Sequence, residues 1–141
     1  MRPVTRILIV ARAAFFRVAL ARYLALLDAG YEVCGEAATG EAALADIARL
    51  QLPVVLLDLP AHDGLGLVRE IRRRWPGVAV IAVVDSPGHE YGAAFRAAGA
   101  NACLDKHALV EQLPDALAAA TGAFSSGVVD AADPRPPPAS P

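Results

Sequence analysis

The stretch "VVLLDLPAHDG" (residues 54–64) decides the fold. Its first four residues are apolar without a break, which is typical of a strand buried on both faces of a parallel sheet. The run ends in one carboxylate, Asp58, and the chain then turns through Pro60 and Gly64. An aspartate in this place either closes a turn or presents a reactive group, and spacing alone favours the turn.

Four other short apolar runs repeat this plan along the chain. They cover residues 6–10, 31–37, 78–84 and 101–104. Helices are predicted over 15–29, between the N-cap Thr39 and Pro53, over 65–75, between Ser86-Pro87 and Gly99, and over about 110–121. Five alternations of strand and helix predict an α/β fold: a doubly wound, flavodoxin-like sheet of five parallel strands in the order 2-1-3-4-5.

The composition favours one cytoplasmic domain that does not bind nucleic acid itself. The chain has 141 residues, 55% of them hydrophobic, and a net charge of −2, so it can bury a core and has no basic excess. Cys34 and Cys103 lack metal-ligand spacing and are expected to be reduced, buried thiols that form no disulfide. No apolar run is long enough to cross a membrane, so no membrane partner is expected.

Charged residues follow several of the predicted strands. In an open parallel sheet, ligands and chemistry gather beyond the carboxyl ends of the strands, where the strand order reverses. Ala11 and Arg12 follow the first strand, Asp58 ends the third, and Lys106, the only lysine of the chain, follows the fifth. We therefore expect one carboxylate, one guanidinium and one ammonium to converge at this edge.

Several fragments and their spacing resemble the receiver domain of a bacterial two-component response regulator. They are "RILIV", "GEAATGEAAL", "VVLLD", "DGL" and "FRAAGANACLDK", and the resemblance covers about residues 5–121. Residues 1–122 are interpreted as the receiver domain. Residues 123–141 contain five of the eleven prolines and resemble the linker of the NarL/FixJ class, which leads to a LuxR-type helix-turn-helix output domain absent from this chain. DNA binding is expected only through that output domain.

The resemblance assigns roles to positions, and this chain departs from the family at most of them. It implies that Asp58 occupies the phosphoacceptor position and Lys106 the position of the lysine that pairs with the phosphoryl group. An acidic pair that binds Mg²⁺ is replaced by Ala11 and Arg12. We therefore expect no metal and no other cofactor, because Mg²⁺ needs carboxylate ligands.

Three further departures bear on switching. The hydroxyl that senses the phosphoryl group is replaced by Val84, and the switch aromatic of the fifth strand is replaced by Cys103. The loop between Asp58 and Gly64 is about two residues shorter than the family's. With the acidic pair gone, we expect Arg12, Lys106 or both to reach the carboxylate of Asp58.

These residues predict a regulatory domain of an atypical transcription regulator, not an enzyme, that is not switched by Mg²⁺-dependent phosphorylation. One alternative is a working phosphorelay receiver, phosphorylated on Asp58 by a histidine kinase. Another is a pseudo-receiver whose altered pocket senses a small anionic ligand.

The first predicted helix carries more apolar residues than one buried face needs. We therefore predict a homodimer through the first and fifth helices. The expected interface residues are Phe16, Val18, Tyr23 and Leu26 of the first helix and Leu113 and Leu117 of the fifth.

Overall fold

The structure is a computed structural model that describes residues 4–27, 30–51, 53–85 and 89–121. Five parallel strands form one sheet in the order β2-β1-β3-β4-β5, so the predicted fold and strand order are confirmed. The strands are β1 (Thr5–Ala11), β2 (Tyr31–Ala37), β3 (Val54–Asp58), β4 (Val80–Val84) and β5 (Ala102–Asp105). The helices are α1 (Ala14–Leu26), α2 (Gly40–Leu50), α3 (Ala61–Arg74), α4 (His89–Ala98) and α5 (Leu109–Ala120), and a 3₁₀ turn (Lys106–Ala108) precedes α5.

Some predictions fall outside the described residues. These are the predicted end of the first helix at Asp28 and Ala29, the predicted helix start at Ser86-Pro87, and the linker 123–141. Within the described ranges, no helix is both long enough and apolar enough to cross a bilayer.

The sheet separates two apolar clusters, which explains the unbroken apolar strands. Leu8 and Val10 of β1 join a cluster with α2, α3 and α4, whereas Ile7 and Ile9 join a cluster with α1 and α5. Every second side chain of a strand points to the same face, so a strand covered on both sides must be apolar throughout. Helices α1 and α5 therefore share one face of the sheet, as predicted.

The third helix begins at Ala61, four residues before the predicted start at Leu65. Pro60 has a φ of −51° and its carbonyl accepts a hydrogen bond from the Gly64 N–H at 2.8 Å. Proline presets a helical φ, so it suits the start of a helix. The stretch from Ala61 to Gly64, interpreted from the sequence as a shortened loop, is the first turn of α3.

The fifth helix contains Pro114 in its second turn, although the sequence suggests that this proline is tolerable only in the first. A proline has no N–H, so the carbonyl four residues earlier, that of Val110, loses its helical donor. The Tyr23 hydroxyl of α1 donates to this Val110 carbonyl at 2.9 Å. A side chain of α1 thus replaces the backbone bond that Pro114 removes from α5.

Candidate functional site

The carboxyl ends of β1, β3, β4 and β5 surround one open cavity of about 440 Å³. Strand pairing puts Ala11 of β1 in register with Asp58 of β3, and Val84 of β4 in register with Asp105 of β5. The 3₁₀ turn that begins at Lys106 follows directly. The lining includes Arg12, Ala13, Asp58, Leu59, Val84, Asp85, Tyr91 and Lys106.

Lys106 and Asp58 form an ion pair inside this cavity. The Lys106 Nζ lies 2.8 Å from Asp58 Oδ2, and the two side chains are 31% and 21% exposed. The same ammonium lies 4.4 Å from the centre of the Phe16 ring, a distance typical of a cation–π contact. The predicted approach of Lys106 to Asp58 is present, and an aromatic ring of α1 is added to it.

Arg12 pairs with a different carboxylate from the one expected. Its Nη2 lies 3.3 Å from Asp63 Oδ2, and both side chains are at least half exposed. The early start of α3 explains this choice, because it places Asp63 in the first helical turn beside the end of β1. Arg12 therefore contacts Asp63 in place of the expected Asp58.

A second arginine, Arg17, donates to the backbone carbonyls at the end of β1. The sequence pattern did not identify it as a site residue. Arg17 Nη1 donates to the Ala11 carbonyl at 2.6 Å and to the Arg12 carbonyl at 3.2 Å. Its Nε donates to Glu36 Oε1 at 3.1 Å, and only 18% of the side chain is exposed. Arg17 lies one turn into α1, the helix that follows β1, and this position in the sequence could have identified it as a site residue.

These residues do not fit the Mg²⁺ that the family resemblance implies. At the end of β1, Ala11 presents a buried methyl group and Arg12 a cation, while both backbone carbonyls already accept from Arg17. One oxygen of Asp58 is held by Lys106. Mg²⁺ needs oxygen ligands in near-octahedral geometry. In the part of the chain that the structure describes, no three His, Cys, Asp or Glu side chains cluster as metal ligands do.

The side chains at the two switch positions, Val84 and Cys103, are not suited to transmit a change from the cavity by hydrogen bonds. Val84 is 9% exposed, and its side chain cannot form a hydrogen bond. Cys103 is partly buried and packs against the cluster formed with α2, α3 and α4. Burial raises the pKa of the Cys103 thiol, so its neutral form is favoured. Cys34 is also a free, partly buried thiol.

The predicted interface residues are only partly exposed. Val18 and Leu26 are 49% and 82% exposed, whereas Phe16 and Tyr23 pack partly into the cluster between α1 and α5. Leu113 and Leu117 are fully buried, which corrects their assignment to the interface. Helix α5 is apolar at most positions, so its sequence pattern did not show which side faces the sheet. Two exposed residues were not among the expected set, Phe15 of α1 at 86% and Val110 of α5 at 62%.

Comparison with known proteins identifies one family for most of the chain. The family model described as "Response regulator receiver domain" matches residues 7–118. Response regulator GacA of Pseudomonas protegens is 32% identical over 114 residues, which are 79% of this chain and 53% of that protein. The chain thus spans about half the length of this relative.

Two solved structures have the same fold at moderate sequence identity. A LuxR-family two-component response regulator from Aurantimonas sp. is 26% identical with a TM-score of 0.75, covering 85% of this chain and 87% of that one. The signal receiver domain of the putative response regulator NarL from Mycobacterium tuberculosis is 27% identical with a TM-score of 0.73, covering 85% and 99%.

Proposed function

The chain belongs to the response regulator receiver domain family, and from this premise we propose that it is the regulatory domain of a transcription regulator whose Asp58 pocket is not switched by Mg²⁺-dependent phosphorylation. Such a domain acts through the surfaces it presents to partners and performs no catalysis of its own.

The composition of the pocket carries this proposal. Phosphoryl transfer depends on positive charge that neutralises the developing charge, which in this family the metal supplies. Among the described residues, the positive charges at the site belong to Lys106, Arg12 and Arg17. Each is already paired, with Asp58, Asp63 and Glu36 respectively. The carboxylates that would recruit a metal are replaced by Ala11 and Arg12.

Treatment with acetyl phosphate and Mg²⁺, followed by intact-mass measurement, tests the proposal. We expect no gain of a phosphoryl group, and the Asp58→Asn variant serves as the matched control. A stoichiometric gain that disappears in Asp58→Asn would instead establish the working phosphorelay receiver.

The output is proposed to be a DNA-binding domain that follows the linker 123–141. The support is the likeness to LuxR- and NarL-type receivers and the proline-rich composition of the linker. The net charge of −2 indicates that this domain itself does not bind nucleic acid. Expression with the residues that follow Pro141 in the parent gene, and a shift assay on promoter DNA, would test this.

The partner is proposed to be a second copy of the chain, bound through α1 and α5. Phe15, Val18 and Leu26 are exposed at spacings that place them along one side of α1, and Val110 is exposed on the neighbouring α5. A two-fold interface buries the same apolar patch on both subunits. Such a dimer would present two output domains to a two-fold DNA site.

Sedimentation of the domain at micromolar concentration tests the dimer. We expect Leu26→Glu to produce a monomer, because it places a charge within the apolar patch. Tyr91→Glu is the matched control on α4, where Tyr91 is 48% exposed. Dissociation by Tyr91→Glu but not by Leu26→Glu would move the interface to the α4 face.

A further inference from the structure

Lys106 connects the pocket to α1. Its ammonium lies 2.8 Å from the carboxylate of Asp58 on one side and 4.4 Å from the centre of the Phe16 ring on the other. It is also the first residue of the 3₁₀ turn that leads into α5. One flexible cation therefore contacts β3 and the first turn of α1.

Phe16 links this contact to the exposed surface of α1. Its ring is partly buried and packs into the cluster formed by α1 and α5. Its neighbours in the helix, Phe15 and Val18, are 86% and 49% exposed. Phe15 and Val18 share the first turns of α1 with Phe16, so a shift of the helix that accompanies a displaced ring would move these exposed side chains as well.

The other two positions that could transmit a change are unsuited to it. Val84 has no polar atom in its side chain, and Cys103 packs into the cluster on the opposite face of the sheet from α1. The Lys106 ammonium contacts both the Asp58 carboxylate and the Phe16 ring of α1.

We propose that Lys106 is a positioning residue that couples the charge at position 58 to the Phe16 ring, and through it to the exposed surface of α1. The carboxylate and the ring face together hold the same ammonium. When the carboxylate is neutralised or modified, the ammonium changes its position over the ring. The coupling rests on the proposed function only because that function uses the α1 surface to form the dimer. The coupling itself can be measured whether or not Asp58 accepts a phosphoryl group.

The first test uses the ring resonances of Phe16 in NMR spectra of the whole chain. We expect Asp58→Asn to shift these resonances, and the shift to be lost when Lys106→Met is added. Lys106→Arg should restore it, since a guanidinium also contacts carboxylates and aromatic faces. The Phe95 ring is buried in the other cluster and is the internal control whose resonances should stay in place.

The second test is a mutant cycle in chemical denaturation. The unfolding equilibrium constant is measured for Asp58→Asn, for Phe16→Leu and for the double variant. The effect of the double variant should differ from the product of the two single effects by about two- to fivefold, the factor expected for one cation–π contact. In the Lys106→Met background this departure should vanish. If Lys106→Met does not fold, the same cycle in Lys106→Ala takes its place.

Two results would overturn the inference. One is a Phe16 ring that does not respond to Asp58→Asn, and the other is a coupling that persists without the lysine. Neither depends on the acetyl phosphate experiment, so this inference and the proposed function can fail separately.

Discussion

The two edges of the sheet use their charged residues in different ways. At the amino edge, Arg72 of α3 donates to the carbonyls of Pro76 and Val78 at 2.6 and 2.7 Å and to that of Gly99 at 2.6 Å. It also reaches Asn101 Oδ1 at 3.2 Å, which in turn accepts from the backbone N–H of Val80 at 2.8 Å. One guanidinium thus fixes the two loops that precede β4 and β5.

At the carboxyl edge, the two charged pairs that line or border the cavity are single and partly exposed. Lys106 holds Asp58 and Arg12 holds Asp63, with exposed fractions from 21% to 66%. Ion pairs in contact with solvent contribute little to stability. The difference predicts that Lys106 or Arg12 can be exchanged at little cost in stability, whereas the exchange of Arg72 costs much more.

The largest effect is expected for Arg72→Ala. This change leaves several backbone carbonyls without their donor, and we expect a loss of about 2–3 kcal/mol in the free energy of unfolding, measured by urea denaturation. Lys at this position should not restore stability, since an ammonium cannot reproduce the planar fork of donors.

Arg73→Ala is the matched control for Arg72→Ala. Arg73 lies in the same helical turn but pairs with Glu70 on the exposed surface, and its loss should leave the unfolding midpoint nearly unchanged. Equal effects of the two substitutions would contradict the contrast between the two edges.

The second prediction rebuilds the carboxyl edge. The double substitution Ala11→Asp and Arg12→Asp removes a cation and supplies two carboxylates beside Asp58. We expect the double variant to fold and to gain stabilisation by Mg²⁺, about 1.4 kcal/mol at ten times its dissociation constant. Thermal unfolding with and without Mg²⁺ measures this gain.

Arg12→Ala alone is the control for the rebuilt site. It removes the positive charge without adding ligands, and its melting temperature should not respond to Mg²⁺. A parent chain that Mg²⁺ stabilises as strongly as the double variant would show that the present residues already hold the metal.

The third prediction concerns the single hydrogen bond from Tyr23 to the Val110 carbonyl. Tyr23→Phe should cost about 1 kcal/mol of unfolding free energy, the usual value for one hydrogen bond. In the Pro114→Ala background the loss should be smaller, since the restored backbone N–H at position 114 can then donate to the same carbonyl. Equal losses in both backgrounds would mean that Tyr23 does not compensate for Pro114.

The sequence predicts the fold because the strands are short, apolar and evenly interrupted by helix signals. It misses the start of α3 because Gly64 reads as part of a turn, although Pro60 and Asp63 are typical of a first helical turn. The choice of Asp63 as the partner of Arg12 depends on that start. The error at the helix and the error at the site therefore have one cause.

Other site details depend on geometry that a sequence pattern does not contain. Three arginines follow one another in α3. The sequence does not distinguish the first, Arg72, which donates to backbone carbonyls, from the next two, which pair with Glu70 on the surface. The contact of Lys106 with Asp58 follows from strand order, but its contact with the Phe16 ring depends on how α1 packs on the sheet.

The smallest effect is expected from Cys34 and Cys103, the thiols on the two outer strands β2 and β5 of the sheet. Burial raises the pKa of both Cys34 and Cys103. A raised pKa in the folded state means that the stabilising contribution is complete below the unfolded pKa, about 8.5 for a thiol. It is lost as the pH rises through the folded pKa. The unfolding free energy should therefore begin to fall above about pH 8.5.

The double variant Cys34→Ala and Cys103→Ala isolates this dependence. Its unfolding free energy should stay level in the window just above about pH 8.5, while that of the parent chain declines. Tyr31, whose pKa burial also raises, contributes only beyond its ordinary value of about 10, so the two windows are separate. The effect is small because both thiols are only partly buried. The same decline in parent and variant would assign it to other groups.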